Sequence, residues 1–188
     1  MPADSARLLV EGPPGAGKTT AIDRLSQRLA DADISLSGFL TKELRQGHSR
    51  VGFEIETFAG ERGVLAHVRL TGPPRVGRYG VDLETFERLA LPAVGRPRKE
   101  CVVLIDELGK MELASKRFQE AVVRLFAQPV PIVASIQMSR HPITDALKRR
   151  TDVEKLRLTA GNRDRLPLEL AERLGVTAGW DQSGGPQA

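Results

Sequence analysis

Residues Gly12 to Thr19 read GPPGAGKT, a complete GxxxxGK(S/T) phosphate-binding loop. Such a loop works only between a strand and a helix, so it constrains the fold before anything else is read. Ala6 to Val10, apolar but for Arg7, is a run suited to the strand. Ala21, Ile22, Leu25 and Leu29 follow at the spacing of one helical face. In this setting successive backbone N–H groups converge on phosphate oxygens, and the helix N-terminus adds partial positive charge behind them. Gly12, Pro13, Pro14, Gly15, Ala16 and Gly17 form the expected cradle. The three glycines lack a Cβ, so they are expected to take positive φ and to let the phosphates approach the main chain. Lys18 is expected to bridge the β- and γ-phosphates, and the Thr19 hydroxyl to ligate Mg²⁺. Thr20 helps start the helix. The chain is thus predicted to bind nucleoside triphosphates.

The other half of the site lies far downstream. Cys101 to Ile105 is wholly apolar, with three β-branched residues, and runs into Asp106 and Glu107. A run of this kind suits a strand buried on both faces of a parallel sheet, at whose C-terminal edge ligands bind. Asp106 is the expected carboxylate near Mg²⁺. Glu107, directly after it, is placed to polarise a water in line with the γ-phosphate. Asp106 to Gly109 also spells DxxG, which makes the Gly109 amide a candidate γ-phosphate donor. No NKxD tetrapeptide follows to read guanine, so weak discrimination among bases is expected.

At 188 residues the chain suits one compact domain, expected over residues 1–174, with a Gly/Ser/Gln-rich tail over 175–188. No apolar run reaches membrane-spanning length, and Met1 to Ala6 lacks the apolar core of a signal peptide, so a cytosolic protein without membrane contact is expected. Cys101, the single cysteine, reads as an inert core residue. The histidines have no metal-ligand spacing. The net charge of +4 is scattered and aromatics make up 4%, so nothing resembles a nucleic-acid footprint. A monomer is expected.

After the loop, strands and helices alternate. Strands are expected at Leu36 to Thr41, Cys101 to Ile105, Val130 to Ile136 and Val153 to Leu158, with a hairpin over Arg50 to Phe58 and Gly63 to Arg69. Helices are expected from Asp82 through Leu89, Met111 to Ala127, Ile143 to Arg150 and Pro167 to Leu174. Pro92, Gly95 and Pro97 read as loop. Ser135 and Gln137, at the end of the strand that follows the acidic pair, are candidates for sensing the γ-phosphate. Thr71 to Gly80 is rich in Gly and Pro and reads as a mobile loop that brings Arg78 onto the transferred phosphate. Asn162 and Arg163 follow the last strand, where a nucleobase would lie; helix capping is the competing role for Asn162.

GPPGAGKTT, GFLTKELR at Gly38 to Arg45, VGRYGVD at Val76 to Asp82, IDELGKMEL at Ile105 to Leu113 and NRDRLP at Asn162 to Pro167 resemble, in order and spacing, the small nucleoside-triphosphatases first known from thermophiles. The resemblance spans about Ala6 to Leu174. It implies an α/β, three-layer αβα phosphate-loop fold of RecA type, a mostly parallel sheet with an inserted β-hairpin. It further implies Mg²⁺-dependent hydrolysis of ATP, GTP, CTP and UTP to diphosphate and phosphate. The loop glycines, Lys18, Thr19, Asp106 and Glu107 match the family, while Leu108 stands where isoleucine is common and the tail departs from the family ending. Two other functions share the same motifs. One is a nucleoside or nucleotide kinase, with Arg140, Lys148, Arg149 and Arg150 as a basic lid. The other is a nucleotide-gated module acting on RNA or protein.

Overall fold

The computed structural model describes residues 6–98 and 100–176. Most of the tail expected over 175–188 therefore lies outside the described residues. Among the described residues nine strands form one sheet: β1 (Arg7–Glu11), β2 (Ser35–Gln46), β3 (Ser49–Thr57), β4 (Arg62–His67), β5 (Arg75–Val76), β6 (Tyr79–Val81), β7 (Cys101–Leu108), β8 (Ile132–Ile136) and β9 (Glu154–Arg157). Their order is β5-β6-β4-β3-β2-β7-β8-β1-β9. The half from β2 to β9 is parallel, and the half from β3 to β5 is antiparallel.

Helices cover both faces because the parallel strands are apolar on both. α1 (Lys18–Asp31) and α5 (Leu166–Arg173) pack Ile22, Leu25, Leu29 and Leu170 against Leu8, Val10, Val102 and Leu104. On the other face α2 (Leu83–Gly95) and α3 (Lys116–Leu125) pack against Leu9, Val103, Ile105 and Ala134. Alternate residues of β1 and β7 thus enter opposite layers, as the period of two in a strand requires. Phe39, Phe86 and Phe118 meet in the second layer, the last two with centroids 4.9 Å apart in an edge-on arrangement. Rings in that geometry add to the stabilisation from burial alone. No helix among the described residues is long and apolar enough to cross a membrane.

Four local expectations change. β2 runs to Gln46 rather than stopping at Thr41, and its second half pairs with β3 in an antiparallel ribbon. Asp82 caps α2 as expected, accepting the Thr85 N–H at 2.9 Å, but α2 continues through Pro92 to Gly95. Burial of Ala90 and Val94 offsets the hydrogen bond that proline forfeits in the last turn. The helix expected from Met111 instead begins at Lys116, after a 3-10 turn over Glu112–Ala114. Ser115 stops the continuity by capping α3, its hydroxyl accepting the Phe118 N–H at 3.0 Å. Finally, Thr71 to Gly80 is no open loop. It folds into the β5–β6 hairpin, with Tyr79 buried.

Candidate functional site

β1 delivers the phosphate loop and β7 delivers the acidic pair to the same sheet edge, with β8 between them. The loop ends in α1, whose N-cap Gly17 is left-handed at φ 98°, and Gly15 has φ 74°. Both torsions suit glycine. Gly12 departs from the expected positive φ and serves instead through space: a Cβ there would meet Leu158 Cβ at 3.3 Å. Pro13, Pro14 and Gly15 are exposed, as are Thr19 and Thr20 in the first turn of the helix.

Lys18 is buried, at 8% exposure. Its Nζ donates to the carbonyls of Gly12 at 3.0 Å and Pro13 at 3.3 Å and lies 3.5 Å from Glu107 Oε2. Two segments separated by almost half the chain therefore meet at an ammonium and a carboxylate. Gln137, at the end of β8, donates through Nε2 to Glu107 Oε1 at 2.6 Å. Asp106 is almost wholly enclosed, at 1% exposure. Ser135 donates to its Oδ1 at 2.6 Å and Thr41 to its Oδ2 at 3.4 Å, and the Thr19 hydroxyl lies near enough to favour its charged form. Burial pushes the Asp106 carboxyl up to about 6, against the pull of the Ser135 and Thr19 hydroxyls. The Asp106–Glu107 peptide is cis.

A hydroxyl and a carboxylate held together at a helix N-terminus are the hard oxygen donors that Mg²⁺ accepts alongside waters and substrate phosphates. Among the described residues no group of three or more acidic, histidine or cysteine ligands forms a cage of its own. The donor set fits Mg²⁺, with Thr19 and Asp106 as the residues that would hold it.

Gly109 sits where three side chains converge. A Cβ on it would lie 2.7 Å from Gln137 Nε2, 2.8 Å from Glu112 Oε2 and 2.9 Å from Glu107 Oε1. Its amide, a candidate for the γ-phosphate, instead donates to Glu112 Oε2 at 3.2 Å. Glu112 is buried at 4% exposure. Burial, and then the neighbouring Glu107 charge, push its carboxyl up to about 8, which favours the neutral form.

Lys18, Thr19, Glu107 and Gln137 border a cavity of about 580 Å³. Its far wall is the β2–β3 ribbon, which presents Thr41, Glu43, Arg50 and Phe53. Arg78 does not line it. That guanidinium lies over the Tyr79 ring at 5.2 Å and donates to the Arg50 carbonyl. Asn162 and Arg163 are also outside its lining. Asn162 accepts the Thr159 N–H at 2.8 Å and donates to the Arg157 carbonyl at 2.8 Å, which closes the turn after β9, while Arg163 is exposed. Of the basic residues considered for a lid, Lys148 pairs with Glu11, Arg150 with Asp152 and Arg140 with Asp145. A second cavity, of about 420 Å³, opens at the opposite end of β2 and β7 beside Ser35 and Cys101, away from the phosphate loop.

The sequence reading missed Thr41, Glu112 and Arg50. Thr41 and Glu112 fall inside the quoted blocks GFLTKELR and IDELGKMEL, so position along the chain was the available signal.

The family model described as NTPase matches residues 7–171. The chain belongs to this NTPase family. The nucleoside-triphosphatase THEP1 of Thermotoga maritima is 38% identical over 177 residues, covering 94% of this chain and 99% of that one. The human cancer-related nucleoside-triphosphatase is 39% identical over 175 residues, covering 85% and 91%. The crystal structure of THEP1 from Aquifex aeolicus superposes with a TM-score of 0.81 at 34% identity, covering 89% of this chain and 98% of the other. In this NTPase family member the sheet is parallel around the phosphate loop, from β2 to β9, and β8 lies between the loop strand and the acidic strand.

Proposed function

We propose that this chain hydrolyses nucleoside triphosphates to diphosphate and phosphate at the cavity between the phosphate loop and the end of β7. The observation that carries this reading is the 3.5 Å approach of Lys18 Nζ to Glu107 Oε2. In that arrangement Lys18 exchanges the Gly12 and Pro13 carbonyls for β- and γ-phosphate oxygens. Glu107 then faces the terminal phosphorus across the width of a water molecule. Its carboxylate orients that water and takes its proton as the P–O bond to the leaving diphosphate lengthens. Gln137 holds Glu107 at Oε1 and leaves Oε2 for the water. The backbone amides from Gly15 to Thr19 and the N-terminus of α1 offset charge on the leaving group. Most of the rate enhancement therefore comes from positioning and electrostatics.

Thr19 and Asp106 are the residues that would hold Mg²⁺, and the ion would supply positive charge against the β- and γ-phosphate oxygens. Weak base selectivity is part of the proposal, supported by the engagement of Asn162 within its own turn.

The test is free phosphate released from ATP, GTP, CTP and UTP, with and without Mg²⁺ and with no acceptor present. Comparable Mg²⁺-dependent release from all four, lost in Glu107→Gln with nucleotide still bound, is the expected result. Turnover only on addition of a nucleoside, or undiminished turnover in Glu107→Gln, overturns the reading. Strong stimulation by RNA or a protein over a negligible basal rate would favour the gated module instead.

A further inference from the structure

The far wall of the cavity carries a guanidinium held more firmly than an exposed ion pair requires. Arg50 is the second residue of β3 and lines the same cavity as Lys18, Thr19 and Glu107. Its Nε donates to the Tyr79 hydroxyl at 3.1 Å and its Nη1 to Glu43 Oε1 at 2.7 Å. The Phe53 ring lies 5.1 Å from the guanidinium carbon and the Tyr79 ring 5.9 Å from it. Those two rings themselves pack edge to face at 5.3 Å. The backbone is fastened too, since Arg78 and the Tyr79 hydroxyl both donate to the Arg50 carbonyl. Surface Arg–Glu pairs contribute little to stability. The Phe53 ring and the buried Tyr79, which supplies both a ring and a hydroxyl, converge on one half-exposed guanidinium, and Arg78 holds the carbonyl of the same residue; together they point to a positional role. Among the described residues nothing accepts a hydrogen bond from the remaining terminal nitrogen, Nη2.

We propose that Arg50 is the arginine this NTPase supplies to its own terminal phosphate, with Tyr79, Glu43 and Arg78 as the residues that position it. The assignment rests on the hydrolytic reading above. A planar guanidinium already braced at Nε and Nη1 presents Nη2 to a phosphoryl oxygen with little further loss of side-chain freedom. It offsets charge that grows as the phosphoryl group leaves the diphosphate, so its effect belongs to kcat rather than to KM. Arg78 was the sequence candidate for this role. Its geometry makes it a brace for the Arg50 carbonyl instead.

The test compares Arg50→Ala, Arg50→Lys and Arg45→Ala with the intact chain on Mg-ATP. Arg45 shares Glu43 and does not line the cavity. Arg50→Ala should lower kcat by about 10² to 10³ with KM within about threefold, in the range of a lost arginine donor. Lysine, without the fork, should recover less than about a tenth of the wild-type rate. Guanidinium ion added to Arg50→Ala should raise its rate, and Arg45→Ala should keep kcat within about twofold because an exposed pair is weak. Affinity for ADP with aluminium fluoride should fall in Arg50→Ala while affinity for ADP alone is unchanged. Arg50→Ala with kcat within about threefold of wild type, or a loss confined to KM, overturns the assignment. Glu107→Gln run alongside separates the two ideas: if it is inactive while Arg50→Ala is not, only the arginine is wrong, and if it stays active the hydrolytic reading itself fails.

Discussion

Gln137 Nε2 and Glu107 Oε1 are 2.6 Å apart, a bond that ties the end of β8 to the end of β7. It fixes one carboxylate oxygen of the proposed base and so decides where the other points. Gln137→Ala removes the donor without touching the phosphate loop. Hydrogen bonds to charged groups contribute about 1.5–3 kcal/mol, so kcat should fall roughly 10- to 150-fold with KM nearly constant. Steady-state phosphate release over a range of ATP checks this, and a change in KM alone would contradict the positioning role.

Gly109→Ala tests the crowding behind that bond. The added methyl would stand within 2.9 Å of Gln137 Nε2, Glu112 Oε2 and Glu107 Oε1, closer than real Cβ contacts, so at least one of these groups must move. Because Glu107 and Gln137 are side chains rather than backbone, the fold should survive with a modest drop in Tm. Turnover should fall by about tenfold or more, as misplacement of a catalytic group by about 1 Å can cost that much or more. Nucleotide affinity, governed by Lys18 and the loop amides, should hold. Wild-type kcat in a folded Gly109→Ala variant would show that the convergence has no bearing on the base.

Glu112 gives a pH signature in stability. Its carboxyl is pushed up to about 8 in the folded chain from an ordinary 4.5, so the folded state binds a proton that the unfolded state releases. The associated stability is complete below about 4.5 and is lost as pH rises towards 8. Asp106, raised to about 6 from 3.8, adds a loss of the same sign at lower pH. Thermal unfolding in EDTA should therefore show Tm falling between pH 5 and pH 8. Glu112→Gln should flatten that fall, by roughly 2–4 °C for each kcal/mol removed in a chain of this size. Parallel curves for the two proteins would mean that Glu112 is ionised in the folded state.

The parts of the site read directly from residue order are those whose chemistry depends on local backbone. A phosphate loop must join a strand to a helix, and Cys101 to Ile105 must lie inside a sheet, so Lys18, Thr19, Asp106 and Glu107 came with their elements. What escaped was set by contacts remote in sequence. Lys42 to Gln46 is polar and exposed apart from the half-buried Leu44, without the sustained alternation of a half-buried strand, so its pairing with β3 is what makes it strand. Glu112 reads as an ordinary helix-start acid, and its burial depends on the chain folding over it. Nothing local separates Arg50 from Arg45 or Arg62; the distinction comes from Tyr79, twenty-nine positions away. Asn162, read as a base contact or a cap, closes a turn through the Arg157 carbonyl and the Thr159 N–H.

Asp106 offers the sharpest test of the proposed metal role. Its carboxylate receives hydroxyl hydrogen bonds from Ser135 and Thr41, and asparagine is close enough in shape to occupy the same enclosed space. Asp106→Asn should therefore fold and bind ADP without metal about as well as wild type does. It should lose the gain in affinity that Mg²⁺ confers, because the amide oxygen carries no charge for a hard cation. In the wild-type protein a proton competes with the metal for this carboxylate. As pH falls below about 6, the Mg²⁺ needed for half-maximal activity should rise, approaching tenfold per pH unit for a single competing proton. Calorimetric titration of ADP with and without Mg²⁺, repeated at pH 5 and pH 7.5, measures both effects. If Asp106→Asn kept the wild-type response to Mg²⁺, the metal would have to be held by phosphates and Thr19 without this carboxylate.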